Sequence, residues 1–150
     1  MKSYDVVIVG GGAAGLSAAL VLVRAHRRVL VVDSGAPRNG PAAHMHGFLS
    51  RDGLPPGHLL AAGRAEVEGY GGTITTGTVK DLVLCGQDRF QILLDDGERV
   101  TARRLLVATG LRDELPDIPG LADRWARDVL HCPYRHGWEV RDQGMVKTTG

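Results

Sequence analysis

The feature that most constrains this chain is an uncharged run from Val6 to Val23 that four glycines interrupt. The first predicted element is DVVIVG at residues 5–10, in which every position after Asp5 is uncharged and residues 6–9 are β-branched, as is typical of a parallel strand buried on both faces. The second, AAGLSAALVLVRA at residues 13–25, has the composition of a helix. Because the glycines would weaken any single helix through the run, the sequence predicts a strand and then a helix. A signal peptide or a membrane span fits less well.

A second strand and a later helix extend this pattern. RVLVVD at residues 28–33 follows the first helix, so the chain begins with a βαβ unit and its usual right-handed crossover. Helical spacing returns at residues 57–69, where Leu59, Leu60 and Val67 are the candidate inward positions.

From Gly77 onward the pattern changes to the period of strands. TVKDLVL, FQILLDDG and ERVTARRLLVATG predict an antiparallel meander, with Asp96-Gly97 as a turn. The third strand becomes fully apolar near its end and is expected to return to the parallel sheet. The predicted fold class is therefore α/β, a Rossmann-like fold that combines a parallel sheet with an antiparallel β-meander.

A GxGxxG pattern formed by Gly10, Gly12 and Gly15 lies between the first strand and the helix, and Asp33 ends the next strand. The first glycine allows a tight turn, the second lets backbone approach a pyrophosphate, and the third lets helix and strand pack closely. The helix N-terminus favours an anion, and Asp33 can accept hydrogen bonds from an unphosphorylated adenosine ribose. This favours FAD or NAD over NADP, but spacing alone does not separate the first two. The competing interpretation is that the glycines only turn the chain and pack the helix.

Charge and cysteine content exclude several classes of function. The 150 residues carry 18 basic and 17 acidic side chains, which gives no electrostatic reason to expect nucleic acid or an anionic membrane as a partner. Two cysteines, Cys85 and Cys132, are too few for a secreted disulfide scaffold, so the expected location is cytoplasmic. Cys85 lies in the predicted meander, where a free cysteine is expected to be buried and inert.

The histidines form no convincing metal site in the sequence. His44 and His46 have no carboxylate or cysteine close by in sequence, and His131, Cys132 and His136 have only loose ligand spacing. No metal is predicted.

Four stretches together resemble a known family. GGGAAGLSAAL, VVDSGAPRNGPAAHMHGFLSRDG, LLVATG and HCPYRHGWEVRDQ are similar to the thioredoxin reductase-like FAD/NAD(P)-dependent (pyridine nucleotide-disulfide) oxidoreductases, in particular to their CPYC-motif branch. The resemblance runs from Asp5 to about Gln143 and implies a Rossmann-like FAD-binding fold, with NADPH bound by a second fold further along. The cofactor-binding residues that it implies are Gly10, Gly12, Ala14, Gly15, Asp33, Ser34, Arg38, Asn39, His46, Val79, Ala108, Thr109 and Gly110.

The redox motif departs from the family pattern. The first cysteine of the pattern falls on Cys132 and the second on Arg135, and one thiol cannot complete a two-electron exchange alone. The resemblance implies catalytic roles for Cys132 and for His136, which matches the position of the proton donor. With Arg135 in the motif, neither has its disulfide to act on.

The length departs as well, because members of the family continue through an NADPH-binding domain and this chain has no second GxGxxG. We expect residues 1–115 to form the amino-terminal part of the FAD-binding domain. Residues 116–150 would be the connection and redox-motif segment that precede a missing NADPH-binding domain. Such an incomplete sheet would leave an apolar edge and face uncovered. The final nine residues show no convincing element.

Three hypotheses for function remain open. The leading one is an FAD-dependent NAD(P)H oxidoreductase with a degraded dithiol motif. It would use a small-molecule or dithiol/disulfide electron acceptor, and the family tends to form homodimers. The second is a truncated, catalytically inactive FAD- or nucleotide-binding remnant. The third is a small NAD-binding module of a dehydrogenase. The β-meander that ends in ATG argues against this third hypothesis.

Overall fold

A mixed six-stranded sheet is the centre of the structure, a computed structural model that describes residues 1–86, 88–130, 132–144 and 146. The strands are β1 Lys2–Val9, β2 Val29–Asp33, β3 Thr73–Thr76, β4 Val79–Cys85, β5 Arg89–Leu94 and β6 Arg99–Val107. The helices are α1 Ala13–Arg24, α2 Pro56–Gly69, α3 Leu121–Arg124 and α4 Pro133–His136. In space the strands follow the order β3-β2-β1-β6-β5-β4. The predicted α/β class is confirmed.

Strand β6 joins the parallel sheet to the meander. One of its edges pairs in parallel with β1, and the other pairs antiparallel with β5, where Leu93 faces Arg99. Between β5 and β6 the chain turns at Gly97, whose φ of 89° is left-handed and whose N–H donates to the carbonyl of Leu94 at 3.1 Å. The predicted turn, meander and return to the parallel sheet are all confirmed.

Each face of the sheet carries an apolar core, which explains why residues 6–9 of β1 and 29–32 of β2 are continuously apolar. The core against α1 and α2 consists of Ile8, Leu16, Ala19, Val23, Val29, Val31 and Val67. The core on the opposite face, which includes side chains of the meander, consists of Val7, Leu30, Val32, Ile92, Leu94, Val100 and Ala102. Of the predicted inward positions of α2, Val67 is fully buried, whereas Leu59 and Leu60 are half-buried.

Strand β3 was absent from the sequence prediction. Its four residues, TITT, lie between Gly72 and Gly77 and are too few to show a period. The strand nevertheless pairs in parallel with β2 and extends the sheet by one position.

The expectation that Cys85 is buried is wrong. The residue is a free, exposed cysteine at the end of β4, which pairs only with β5 and forms the edge of the sheet. Every residue of β4 after Val79 is exposed, because neither apolar core of the sheet extends beyond Val79 along this terminal strand.

After β6, the described residues add no further strand to the sheet and form only the short helices α3 and α4, which the sequence did not predict. His131 lies outside the described residues, as do five of the last six positions, 145 and 147–150. Within the described part of the chain, no helix is both long enough and apolar enough to cross a bilayer.

Candidate functional site

The turn between β1 and α1 depends on two glycines for internal reasons. Gly10 has a φ of 109°, which other residues rarely adopt, and a β-carbon there would overlap the carbonyl oxygen of Ala108. A β-carbon on Gly15 would overlap the carbonyl oxygen of Gly10. The fold alone therefore explains glycine at both positions, because glycine is needed there for the turn and for the packing of the helix, with or without a bound nucleotide.

Gly12 has no such internal reason to be glycine. Its φ of −76° suits any residue, and a β-carbon there would meet no atom within 4 Å. It is the N-cap of α1 and accepts a hydrogen bond from the N–H of Leu16 at 2.9 Å, but no side chain caps the helix. The absence of a side chain at Gly12 thus leaves the first-turn N–H groups of α1 accessible to a bound ligand, such as an anion.

Asp33 lies beside this loop, at the carboxyl end of β2. Its Oδ1 atom accepts a hydrogen bond from the N–H of Gly11 at 3.1 Å, and its Oδ2 atom accepts one from Arg64 of α2. A β-carbon on Gly11 would lie only 2.6 Å from the Asp33 β-carbon, so the close approach of loop and carboxylate requires glycine there. The N–H of Gly77 binds the Asp33 backbone carbonyl at 2.9 Å and fixes the end of the strand.

The ATG segment that follows β6 borders the same loop. The N–H of Ala108 donates to the carbonyl of Val9 at 2.8 Å, which continues the parallel pairing up to the glycine turn. Thr109 and Gly110 follow as exposed residues, and Gly110 has a left-handed φ of 68°. The structure therefore brings the residues of the fingerprint, Asp33 and the start of the ATG segment together at one edge of the sheet.

Arg38, in the loop after β2, pairs with Asp113 beyond the ATG segment. Its Nε and Nη2 atoms donate to the two carboxylate oxygens of Asp113 at 2.8 and 2.6 Å. The hydrogen bonding of the guanidinium to this carboxylate raises the pKa of Arg38. The pair ties the loop to a residue 75 positions away, whereas the neighbouring Ser34 and Asn39 are exposed.

His46 lies between two carboxylates. Its Nδ1 atom is 3.4 Å from Asp52, and its Nε2 atom is 3.3 Å from Glu139 in the segment after α4. Asp52 also accepts the N–H of Gly47 at 2.8 Å, and this hydrogen bond, with the one from His46, lowers the pKa of the Asp52 carboxyl. These contacts connect the predicted cofactor loop to the redox-motif segment.

The first turn of α4 contains the redox motif. The N–H groups of Arg135 and His136 both donate to the carbonyl of Cys132 at 3.3 Å. Cys132 is a free, half-buried thiol, Arg135 is exposed and His136 is half-buried. Among the described residues, no group of three or more His, Cys, Asp or Glu side chains is arranged to hold a metal ion.

Two further predicted cofactor residues, Ala14 and Val79, differ in their exposure. Ala14, in the first turn of α1, is exposed beside the glycine loop. Val79 begins β4 and packs against the core on the meander face, so its side chain has a structural place there.

The arrangement at the glycine loop fits a dinucleotide. The uncapped N-terminus of α1, with no acidic residue in its first turn, suits a pyrophosphate, and a half-buried carboxylate at the end of β2 suits ribose hydroxyls. Sequence reasoning did not identify Arg64, Asp113 or Glu139 as residues of the site. A signal existed only for Arg64, a charge on the same helical stripe as Leu60 and Val67.

Comparison with known proteins agrees with this geometry. The model of the family described as pyridine nucleotide-disulphide oxidoreductase matches residues 4–143. The chain belongs to this family.

Relatives of the chain include thioredoxin reductases. Thioredoxin reductase aclD of Aspergillus oryzae is 40% identical over 95% of this chain and 46% of its own length. The probable thioredoxin reductase of Arthroderma benhamiae is 36% identical over 95% of this chain and 37% of its own length. The crystal structure of HlmI aligns with a TM-score of 0.89 and 60% identity over 92% of this chain and 44% of that one. The chain thus spans less than half the length of these relatives.

Proposed function

We propose that this chain binds FAD and forms the amino-terminal part of the FAD-binding domain of an NAD(P)H-dependent oxidoreductase. The observation that carries the proposal is Gly12, which lacks a side chain although neither the backbone nor the packing requires it. A pyrophosphate held against α1 gives the missing reason, because a side chain at this position would cover the N–H groups that bind it.

In this proposal, different residues of the site bind different parts of the cofactor. The first-turn N–H groups of α1, with Gly12 and Ala14, hold the pyrophosphate, and Asp33 accepts hydrogen bonds from the adenosine ribose. The loop after β2 and the ATG segment flank the flavin half. Bound flavin supplies the hydride and electron transfer that the side chains of this chain cannot carry out. The flanking residues in this proposal are Ser34, Arg38, Asn39, His46, Val79, Ala108, Thr109 and Gly110.

Membership of the family supports FAD over NAD, because thioredoxin reductase-like proteins generally use FAD, which they bind in their first nucleotide fold. In this proposal residues 1–115 belong to the FAD-binding domain, and residues 116–150 lead toward an NADPH-binding domain. A cytoplasmic enzyme that passes electrons to a dithiol/disulfide or small-molecule acceptor and forms a homodimer fits the family.

A second function, flavin binding without turnover, is favoured by Arg135. The motif Cys132-Pro-Tyr-Arg135 offers one thiol where a disulfide needs two, so no local disulfide can receive the electrons of a reduced flavin. Under this alternative Cys132 and His136 have no catalytic role.

Anaerobic reduction of the FAD-loaded chain with one equivalent of dithionite separates the two functions, since the 150 residues contain no second GxGxxG at which NADPH could bind. Oxidation of the reduced flavin by an added aromatic disulfide, seen as recovery of the absorbance near 450 nm, would support the oxidoreductase. A reduced flavin that the disulfide does not reoxidise would support the binding remnant. The matched variant Arg135→Cys shows whether the missing thiol limits transfer to the disulfide, because it should change the second step and leave the first unchanged.

A further inference from the structure

The ion pair between Asp33 and Arg64 lies at the point where the proposed site needs a ribose acceptor. The Asp33 side chain is only 14% exposed, and that of Arg64 is 32% exposed. Arg64 binds the Oδ2 atom while the Gly11 N–H binds Oδ1, so the carboxylate is held by one donor on each oxygen. A carboxylate held in this way cannot rotate freely, yet each oxygen keeps a lone pair for a further donor.

Packing of α2 against α1 positions Arg64 beside Asp33. A β-carbon on Gly63 would lie 3.2 Å from Cδ1 of Leu16, so glycine lets α2 approach α1 closely. Val67, one turn further along α2, is fully buried against the same core. Arg64 is therefore an inward-facing charge on a helix that is anchored on both sides of it.

We propose that Arg64 is a positioning residue for recognition of the adenosine ribose, acting through Asp33. The inference rests on the proposed FAD function and assigns to Arg64 the task of fixing the carboxylate, so that its remaining lone pairs accept the ribose hydroxyls. Hydrogen bonds to a charged acceptor are strong, and their strength depends on a fixed geometry. The ribose contact should thus weaken when Arg64 is removed, although Arg64 is not required to touch the cofactor.

A double-mutant cycle with two ligands tests this on the 150-residue chain. Dissociation constants are measured by flavin fluorescence for FAD and for the FAD analogue that lacks the 2′-hydroxyl of its adenosine ribose. The proteins are the wild type, Arg64→Met, Arg64→Lys, Asp33→Asn and the double variant. Arg124→Met is the matched control. Arg124, at the end of α3, forms an exposed ion pair with Asp128, and its Nη1 atom lies 3.1 Å from the Oδ2 atom of that residue.

The wild type should prefer FAD over the analogue by about tenfold. Arg64→Met should reduce this preference to less than about threefold, and Arg64→Lys should restore part of it. Arg64→Met should add nothing further in the Asp33→Asn background, and Arg124→Met should behave as wild type. Thermal unfolding of the flavin-free variants reports any loss of folding separately.

Two results would overturn the inference while leaving the proposed function in place. One is that Arg64→Met weakens FAD and the analogue by the same factor, as a purely structural role would do. The other is that the effects of Arg64→Met and Asp33→Asn on the preference are additive, which would show that Arg64 does not act through Asp33. A wild-type chain that binds neither flavin would overturn the proposed function itself, and the inference with it.

Discussion

Gly15 lies so close to the backbone of Gly10 that a β-carbon on Gly15 would overlap the Gly10 carbonyl oxygen. Gly12, between them, borders open space. The same glycine pattern thus combines residues that the fold requires with a residue that it does not. Substitutions at Gly15 and Gly12 can therefore distinguish effects on folding stability from effects on ligand binding.

Gly15→Ala should destabilise the chain by about 3 kcal/mol, because the added methyl group meets backbone that cannot move without disturbing β1 and α1. Gly12→Ala should stay within about 1 kcal/mol of the wild type, since the N-cap backbone conformation suits alanine and no atom is contacted. Urea unfolding measures both. Equal destabilisation by the two substitutions would contradict the distinction drawn between these glycines.

Gly12→Val extends the comparison to the ligand. The variant should fold like the wild type but lose FAD binding by 100-fold or more, on the order of 3 kcal/mol, because the side chain covers the N–H groups of α1. Flavin fluorescence titration measures the affinity. Unchanged affinity would remove Gly12 from the site.

Asp95 makes folding stability depend on pH. Hydrogen bonds from the backbone N–H and the hydroxyl of Thr78 lower the pKa of the Asp95 carboxyl in the folded state. A carboxyl whose folded pKa is depressed stabilises the protein above its unfolded pKa of ~3.9 and ceases to do so as the pH falls through the folded value.

Asp95→Asn should therefore destabilise the chain at neutral pH and make little difference in strong acid. Urea midpoints for wild type and variant should converge between about pH 5 and pH 2. Thr78→Val, which removes only the hydroxyl donor, should show a smaller effect of the same sign. Parallel midpoints across this pH range would show that the Asp95 carboxylate does not contribute in this way.

Arg135→Cys should restore a dithiol at the start of α4. Residues 132 and 135 lie within one helical turn, as the hydrogen bond between the Arg135 N–H and the Cys132 carbonyl shows, and CxxC at a helix start is an effective redox arrangement. Mild oxidation with oxidised glutathione should then remove two thiols and join Cys132 to the new cysteine, as peptide mapping would show. Arg135→Ser is the control, and Cys85 and Cys132 should form no disulfide with each other in this variant. A disulfide that uses Cys85 instead would refute the assignment.

The apolar edge strand should promote self-association of the chain. Leu82, Val83 and Leu84 are 42%, 48% and 58% exposed on β4, whose outer edge is unpaired in the described residues. Such an edge can pair with a second copy, and a lysine placed on it opposes pairing. Sedimentation velocity should show concentration-dependent association that Val83→Lys reduces, with Lys80→Arg as a control that keeps the charge. Association that is unaffected by Val83→Lys would place the contact elsewhere.

The βαβ unit and the meander were predictable because their signals are local. Residues 6–9 and 29–32 are uninterrupted apolar runs, and Asp96-Gly97 marks its turn in the sequence itself. Strand β3 was not predictable, since four residues between glycines carry no period and the strand forms only because β2 offers an edge. Cys85 was misjudged for a related reason: the sequence gives the meander but not which of its strands is terminal.

The site was predictable only where a motif encodes it. The glycine pattern and Asp33 follow from spacing, whereas Arg64 contacts Asp33 from 31 positions away through the packing of two helices. Arg38 likewise reaches Asp113 across 75 positions. Pairs of this kind depend on tertiary structure and leave no local pattern.

The most direct test of the central claim is a visible absorption spectrum of the purified 150-residue chain after FAD is added and free flavin is removed by gel filtration. The account predicts that the flavin bands co-elute with the wild-type protein and are lost with Gly12→Val. A folded wild-type chain that elutes without flavin would contradict the proposal that the glycine loop and Asp33 hold FAD.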